Sequence, residues 1–266
     1  MDQLAAVVAR LRAAGCVFAE EEAELLTAAA GSPAELAARV DRRVAGEPLE
    51  YVLGWAEFCG LRISVEPGVF VPRRRTEFLV RQAAAFLVRT AAALARPGAI
   101  VVDLCCGSGA IGAAIAAVVP GIELHAVELD PVAVRCAERN LAAAGGRVYQ
   151  GDLFAPLPAG LRGRVAVLVA NAPYVPSGEI HLLPREARLH EPRATYDGGE
   201  DGLSILRRVA AEAARWLAPG GQLLVESSAD QAAPLADFIA GNGLAARVDR
   251  YDELDATVVI GLKESG

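Results

Sequence analysis

From Ala99 to the C-terminus, short apolar strands alternate with amphipathic helices, and this rhythm confines the chain to a wound α/β sheet. The strands read as AIVVDL, ELHAVEL, RVYQG, RVAVLVA, QLLVES and, last, ATVVIGLK. Helices are expected from about Ala110, from Pro131 to Ala144, over LSILRRVAAEAARWL up to Pro219-Gly220-Gly221, and once more before two closing strands. Most connections are short. The segment 171–200 is long and holds Pro173, Pro176, Pro184 and Pro192. A long loop at the carboxyl end of a strand lies where open α/β sheets bind ligands.

Upstream, the first 46 residues read as short helices. Leu4, Val7, Val8 and Leu11 follow helical spacing up to Gly15, and EEEAELLTAAA runs to Gly31. Ser32, Pro33 and Glu35 form a start signal for a third helix, which ends at Gly46. Residues 49–71 are rich in β-branched and aromatic types with glycine breaks and predict a β-hairpin linker. A helix is expected from about Thr76 to Ala95, ahead of Pro97-Gly98. The expected division is a helical bundle over 1–46, a hairpin linker over 47–75 and the sheet domain over 76–266.

Composition narrows the partners. The net charge is −7, and Lys263 is the only lysine among 26 basic residues. An acidic chain disfavours a nucleic-acid duplex, which wants a basic face. No uncharged apolar run reaches the ~18 residues of a membrane span, and the N-terminus lacks a secretory layout, so a cytoplasmic protein without a membrane partner is expected. The cysteines, Cys16, Cys59, Cys105, Cys106 and Cys136, form no C-x-x-C pair, and His125, His181 and His190 are scattered. Buried thiols and no metal are expected.

The segment VVDLCCGSGAIG places Gly107, Gly109 and Gly112 in a strand-to-helix turn. That turn suits a dinucleotide or S-adenosylmethionine, both of which need close backbone approach. Asp103, four residues before Gly107, tilts the choice. A carboxylate there can hold the cationic amino group of a methionine moiety, directly or through water, but would repel a pyrophosphate. D-x-x-x-G-x-G also resembles the usual methyltransferase form. Glu128, at the end of the second strand, can accept from both ribose hydroxyls, and Asp152 from an adenine amino group. The expected cofactor site is Asp103, Cys105, Gly107, Gly109, Glu128, Leu129, Asp152, Leu153 and Asn171. Structural readings stand beside these: a strand-end cap for Asp103, turn residues for Glu128 and Asp152. Glu77 is a candidate for closing the site or an ion-pair partner of Arg81. Phe70 packs against the cofactor or the linker.

The fourth strand runs into Asn171-Ala172-Pro173-Tyr174, the expected catalytic segment. This tetrapeptide resembles the Asn-Pro-Pro-Tyr of methyltransferases that alkylate conjugated nitrogens. Such a nitrogen is a poor nucleophile because its lone pair is delocalised. The Asn171 side-chain oxygen and the Ala172 carbonyl can hold its two N–H groups in line with the methyl donor, and Tyr174 can pack on the flat acceptor. The flanks GEPLEYVLGWAEFCG, VFVPRRRTEFLV and HEPRATYDGGEDGL resemble the release-factor glutamine methyltransferases, from about Gly46 through Gly202. The resemblance implies a Rossmann-like seven-stranded methyltransferase sheet behind a helical N-terminal domain and hairpin. It also implies S-adenosylmethionine as donor, S-adenosylhomocysteine as product, and a glutamine amide of a peptide-chain release factor as acceptor. A monomer is the default. Departures are Ala172 for a proline, Arg74 and Arg75 for a proline and an acidic residue, Leu153 where some members carry an aromatic, and Asp255-Ala256-Thr257 for a basic position. Two other readings stay open: a methyltransferase for a small-molecule or nucleobase nitrogen, and a non-catalytic cofactor-binding module. His190 and Glu191 border the acceptor pocket or belong to a solvated loop.

Overall fold

The computed structural model describes residues 3–94 and 98–265. Three helices open the chain: α1 (Gln3–Ala13), α2 (Ala19–Ala29) and α3 (Pro33–Val44). Their apolar stripes meet in a small core of their own that includes Val7, Leu11, Leu26, Leu36 and Val40. Ser32 caps α3 as its sequence predicts, its hydroxyl accepting from the Glu35 amide at 3.2 Å. The Glu35 carboxylate reaches one residue further back than a capping box does, to the Gly31 amide at 2.8 Å.

The expected hairpin over 49–71 is shorter than its composition suggests. Leu49–Leu53 is a single helical turn, α4, and only β1 (Trp55–Phe58) and β2 (Leu61–Ser64) pair, antiparallel. Pro48 precedes the turn, Gly54 closes it with left-handed backbone (φ 82°), and Val52 drops into the helical core. Five residues are too few for their periodicity to outweigh β-branched content. Helix α5 (Glu77–Leu94) follows. Its expected end at Ala95 and the break at Pro97 lie outside the described residues.

The remaining elements are β3 (Ile100–Leu104), α6 (Ala110–Val118), β4 (Glu123–Glu128), α7 (Pro131–Leu141), β5 (Arg147–Gln150), β6 (Val165–Ala170), α8 (Arg185–His190), α9 (Ser204–Trp216), β7 (Leu217–Ser227), α10 (Ala229–Gly241), β8 (Ala245–Tyr251) and β9 (Ala256–Leu262). Seven strands form one sheet in the order β5-β4-β3-β6-β7-β9-β8. The first five are parallel, and β9 runs antiparallel between β7 and β8. This is the wound α/β sheet that the sequence predicts. Strand β7 starts earlier than QLLVES, because Pro219-Gly220-Gly221 forms a register shift within the strand rather than a loop before it.

Strand parity divides the core. Val102, Leu104, Leu168, Leu223 and Val225 face one side with α9 and α10, and Val101, Val167, Val169 and Leu224 face the other with α5 and α6. The chain leaves β3 toward β4 and β5 on one flank and reaches β6 and β7 on the other. The carboxyl ends of β3 and β6 therefore border the crevice where ligands of such sheets bind. Among the described residues, no helix is long and apolar enough to cross a membrane.

Trp216 is the largest fully buried side chain, 2% exposed and stacked on Phe154 at 5.4 Å. Trp216→Ala should cost about 3–5 kcal/mol through lost contacts and a residual cavity. Urea unfolding measures this, and a loss below about 1 kcal/mol would show that the stack does not anchor α9.

Candidate active site

The glycine turn after β3 forms one wall of a cleft of about 460 Å³. Gly107 and Gly109 have left-handed backbone (φ 54° and 78°). At Gly109 a Cβ would also sit 3.0 Å from Leu141, so this glycine lets α7 pack against the turn. Asn140 ties the turn to the hairpin, donating to the Ser108 and Ser64 carbonyls at 2.8 and 2.9 Å. Two non-glycine residues lining the cleft, Cys105 and Leu153, are left-handed as well (φ 54° and 48°). Each costs about 1–3 kcal/mol of backbone strain, the kind that collects at functional sites. Burial, then the charges of Glu128 and Asp103, push the Cys105 thiol up; it is no ready nucleophile.

The expected cofactor residues fall in two groups. Cys105, Gly107, Glu128, Leu129, Asp152, Leu153 and Asn171 line the cleft; Asp103 and Gly109 do not. Asp103 shares strand parity with Val101 and is fully buried beneath the turn, where Oδ2 accepts from the Gly112 amide at 3.0 Å. Oδ1 is buried without a partner among the described residues. Burial pushes the Asp103 carboxyl up to about 7. Glu128 grips the turn instead of standing free, accepting from Gly107 at 2.8 Å, Leu129 at 2.7 Å and Asp130 at 3.0 Å. A carboxylate has about four acceptor sites, so one remains for a ribose hydroxyl. Asp152 is half-exposed and paired with Arg208 at 2.6 Å, a partner that its turn position did not reveal. Glu77 lies outside the cleft; it accepts from the Cys59 amide at 3.3 Å and pairs with Arg81 at 3.4 Å.

A second cavity, of about 380 Å³, adjoins the first. Phe70, Arg73, Asn171 and Thr195 line both. The segment after β6 runs along this partition. Pro173 faces the cofactor cleft, Ala172 and Tyr174 face the second cavity, and Asn171 borders both. Three contacts hold the segment. Asn171 Nδ2 donates to Thr76 Oγ1 at 3.2 Å, Gln231 Nε2 donates to the Tyr174 carbonyl at 2.8 Å, and the Tyr174 hydroxyl donates to Glu226 Oε1 at 3.0 Å. Gln231 is itself locked in the capping box of α10 with Ser228. Gly202 passes so close that a Cβ would lie 2.2 Å from the Tyr174 oxygen. The contact to Thr76 turns Asn171 Oδ1 away from the hydroxyl. Among the described residues no donor occupies that oxygen or the Ala172 carbonyl.

Glu191 is a wall residue of the second cavity and not part of a solvated loop. It is 6% exposed, pairs with Arg73 at 2.5 and 2.7 Å and accepts from the Val71 amide at 3.3 Å. Burial pushes its carboxyl up against the pull of Arg73. Arg43 of α3 pairs with Glu186 of α8 at 3.2 Å, which ties the N-terminal helices to the same wall. Thr76, Arg73, Gln231 and Glu226 carried no functional signal in the sequence. Among the described residues no three His, Cys, Asp or Glu side chains gather as metal ligands.

The family model "Methyltransferase small domain" matches residues 60–185. The chain is 41% identical over 208 residues to the release factor glutamine methyltransferase of Geobacter sulfurreducens, covering 76% of this chain and 69% of that one. It is 38% identical over 207 residues to a 4-amino-L-phenylalanine/4-methylamino-L-phenylalanine methyltransferase of Streptomyces pristinaespiralis, covering 77% of this chain and 69% of that one. Its fold resembles a methyltransferase structure from Pyrococcus furiosus (TM-score 0.53, 17% identity, 86% of this chain and 98% of that one).

The buried Asp103 sets a pH dependence. With its folded value raised from 3.8 to about 7, the folded chain holds a proton that the unfolded chain has lost. This group's contribution to stability is therefore complete below about pH 4 and is lost as pH rises to about 7. Asp103→Asn should remove that slope. Urea unfolding of both proteins at pH 5 and pH 7 checks it, and parallel pH profiles would contradict a buried, proton-holding Asp103.

Proposed function

The chain belongs to the release factor glutamine methyltransferase family, and from that premise we propose that it transfers the methyl group of S-adenosylmethionine to a glutamine side-chain nitrogen of a protein, the acceptor being a peptide-chain release factor. One observation carries the reading: Asn171 and Ala172, whose Oδ1 and main-chain carbonyl meet no donor among the described residues, lie where the two cavities adjoin.

The residues present suit the donor. The cleft beneath the glycine turn has one acceptor site left on Glu128 for a ribose hydroxyl. Behind the turn, Asp103 Oδ1 is buried without a partner among the described residues, and a cationic amino group bound nearby would favour its ionised form. When bound, S-adenosylmethionine supplies an activated methyl, so no base need ionise the acceptor first. The protein's part is orientation and electrostatics. An amide nitrogen entering from the second cavity meets Asn171 Oδ1 and the Ala172 carbonyl, which take its two N–H groups. That aims the nitrogen through the partition and favours the positive charge that builds on it during transfer. With Asn171 Nδ2 on the Thr76 hydroxyl, Oδ1 is left for the acceptor, whose own N–H donors disfavour the flipped amide. Ala172 in place of a proline leaves the carbonyl in position, its side chain buried in the core.

This reading brings with it the division of the chain into a helical bundle (1–46), a hairpin linker (47–75) and a methyltransferase domain (76–266), and a monomeric cytoplasmic enzyme without a membrane or nucleic-acid partner. A relative that acts on 4-amino-L-phenylalanine supports a second reading, since an arylamine is also a conjugated nitrogen with two N–H groups. Labelled S-adenosylmethionine incubated with a release factor and with a metabolite extract separates the two. Asn171→Ala should lower kcat at least about 100-fold, as loss of a charge-orienting group does, while cofactor affinity by calorimetry stays within a few-fold. Thr76→Val should lower kcat about tenfold through misorientation alone. Full activity in Asn171→Ala sinks the mechanism.

A further inference from the structure

Arg75 stands where the family usually carries an acidic residue, and its surroundings hold it in a defined pose. Its Nε donates to Glu226 Oε1 at 3.2 Å, the same oxygen that receives the Tyr174 hydroxyl. Its guanidinium carbon lies 5.9 Å from the centre of the Tyr174 ring. The Glu226 side chain is 2% exposed and that of Arg75 is 47% exposed. A buried carboxylate thus anchors one edge of the guanidinium and leaves the other edge outward. Arg75 lines the second cavity and is absent from the cofactor cleft.

The other charges on this wall have opposite partners at short range, as Arg75 has in Glu226. Arg73 holds both oxygens of Glu191, and Glu186 meets Arg43. A guanidinium has five N–H donors in a planar fork suited to a carboxylate. Arg75 meets Glu226 through Nε and also interacts with the Tyr174 hydroxyl, which leaves the remaining donors of the fork over. Of the two cations lining the second cavity, Arg75 is the more exposed (47% against 34% for Arg73), and it is held beside the ring that would cover the acceptor amide.

We infer that Arg75 is a specificity-determining residue of the acceptor cavity: its Nη groups take a carboxylate of the acceptor near the methylated nitrogen, so a glutamine followed by an acidic residue is preferred. The inference rests on the reading of this cavity as the acceptor site. Because Arg75 is half exposed, water screens the pair, and the preference should appear in binding at the level of about tenfold rather than in the methyl-transfer step.

The test uses peptides containing Gly-Gly-Gln followed by Glu, Gln or Lys, with labelled S-adenosylmethionine and the full chain as wild type, Arg75→Lys, Arg75→Gln and Arg75→Glu. The wild type should show a KM about tenfold lower for the Glu peptide than for the Lys peptide at similar kcat. Arg75→Lys should keep the order, Arg75→Gln should flatten it, and Arg75→Glu should invert it. Cofactor affinity by calorimetry should stay constant, which shows that each variant is folded. Should Arg75→Glu fail to bind cofactor, Arg75→Gln carries the comparison. A wild type without preference, or an order unchanged in Arg75→Gln, overturns the inference and leaves the glutamine reading standing. A free arylamine amino acid and its carboxamide form a second pair. Transfer to the acid over the amide in an Arg75-dependent manner, with no peptide methylated, keeps the role of Arg75 and removes the glutamine reading. No transfer to any of these acceptors overturns both.

Discussion

The hydrogen bond between Asn171 and Thr76 is the constraint on which the site depends. A carboxamide can present either an acceptor or a donor, and the two faces differ only by a rotation. Thr76, the buried last residue of the helical turn that leads into α5, anchors the Asn171 side chain where the two cavities adjoin. The rest of the segment is pinned with the same economy, Gln231 holding the Tyr174 carbonyl and Glu226 its hydroxyl. A chain of four residues is thereby made stiff by partners drawn from the turn before α5, from β7 and from α10, which are distant in sequence.

The stiff segment forms part of the partition between the two cavities. On one side the glycine turn, closed down by Glu128 and underlain by Asp103, forms a cleft whose walls include strained backbone at Cys105 and Leu153. On the other, the long loop after β6 is folded back against the segment between β2 and α5 by Arg73 and the buried Glu191, and against the N-terminal helices by Arg43 and Glu186. A buried pair of this kind is costly to break, because removing one partner leaves an uncompensated charge. The loop wall and the N-terminal helices are thus coupled to the site mechanically as well as by sequence order.

The limits of sequence reading show in particular residues. Glu128 reads as an acceptor for both ribose hydroxyls, and three backbone amides take all but one of its acceptor sites. Asp152 reads as an acceptor for an adenine amino group or as a turn residue, and Arg208, 56 positions away, holds it. Asp103 reads as a cofactor residue or a strand-end cap, and strand parity turns it into the core beneath the turn. In each case the residue type and its place at a strand end were legible, but the partner that sets its charge and direction comes from a distant element. Leu49–Leu53 failed for a different reason: a single helical turn is too short to leave a periodic trace.

What the sequence determined alone was the order of the sheet's strands, the glycine turn after β3 and the Asn171–Tyr174 segment after β6, because hydrophobic periodicity and turn chemistry act within a few residues. The tertiary structure decided the rest. It set β3 beside β6, so that the turn and the segment face one crevice. It also brought Thr76 to Asn171 and Glu226 to both Tyr174 and Arg75. The physical reason is that hydrogen-bond direction and buried charge depend on neighbours in space, and packing across the sheet chooses those neighbours.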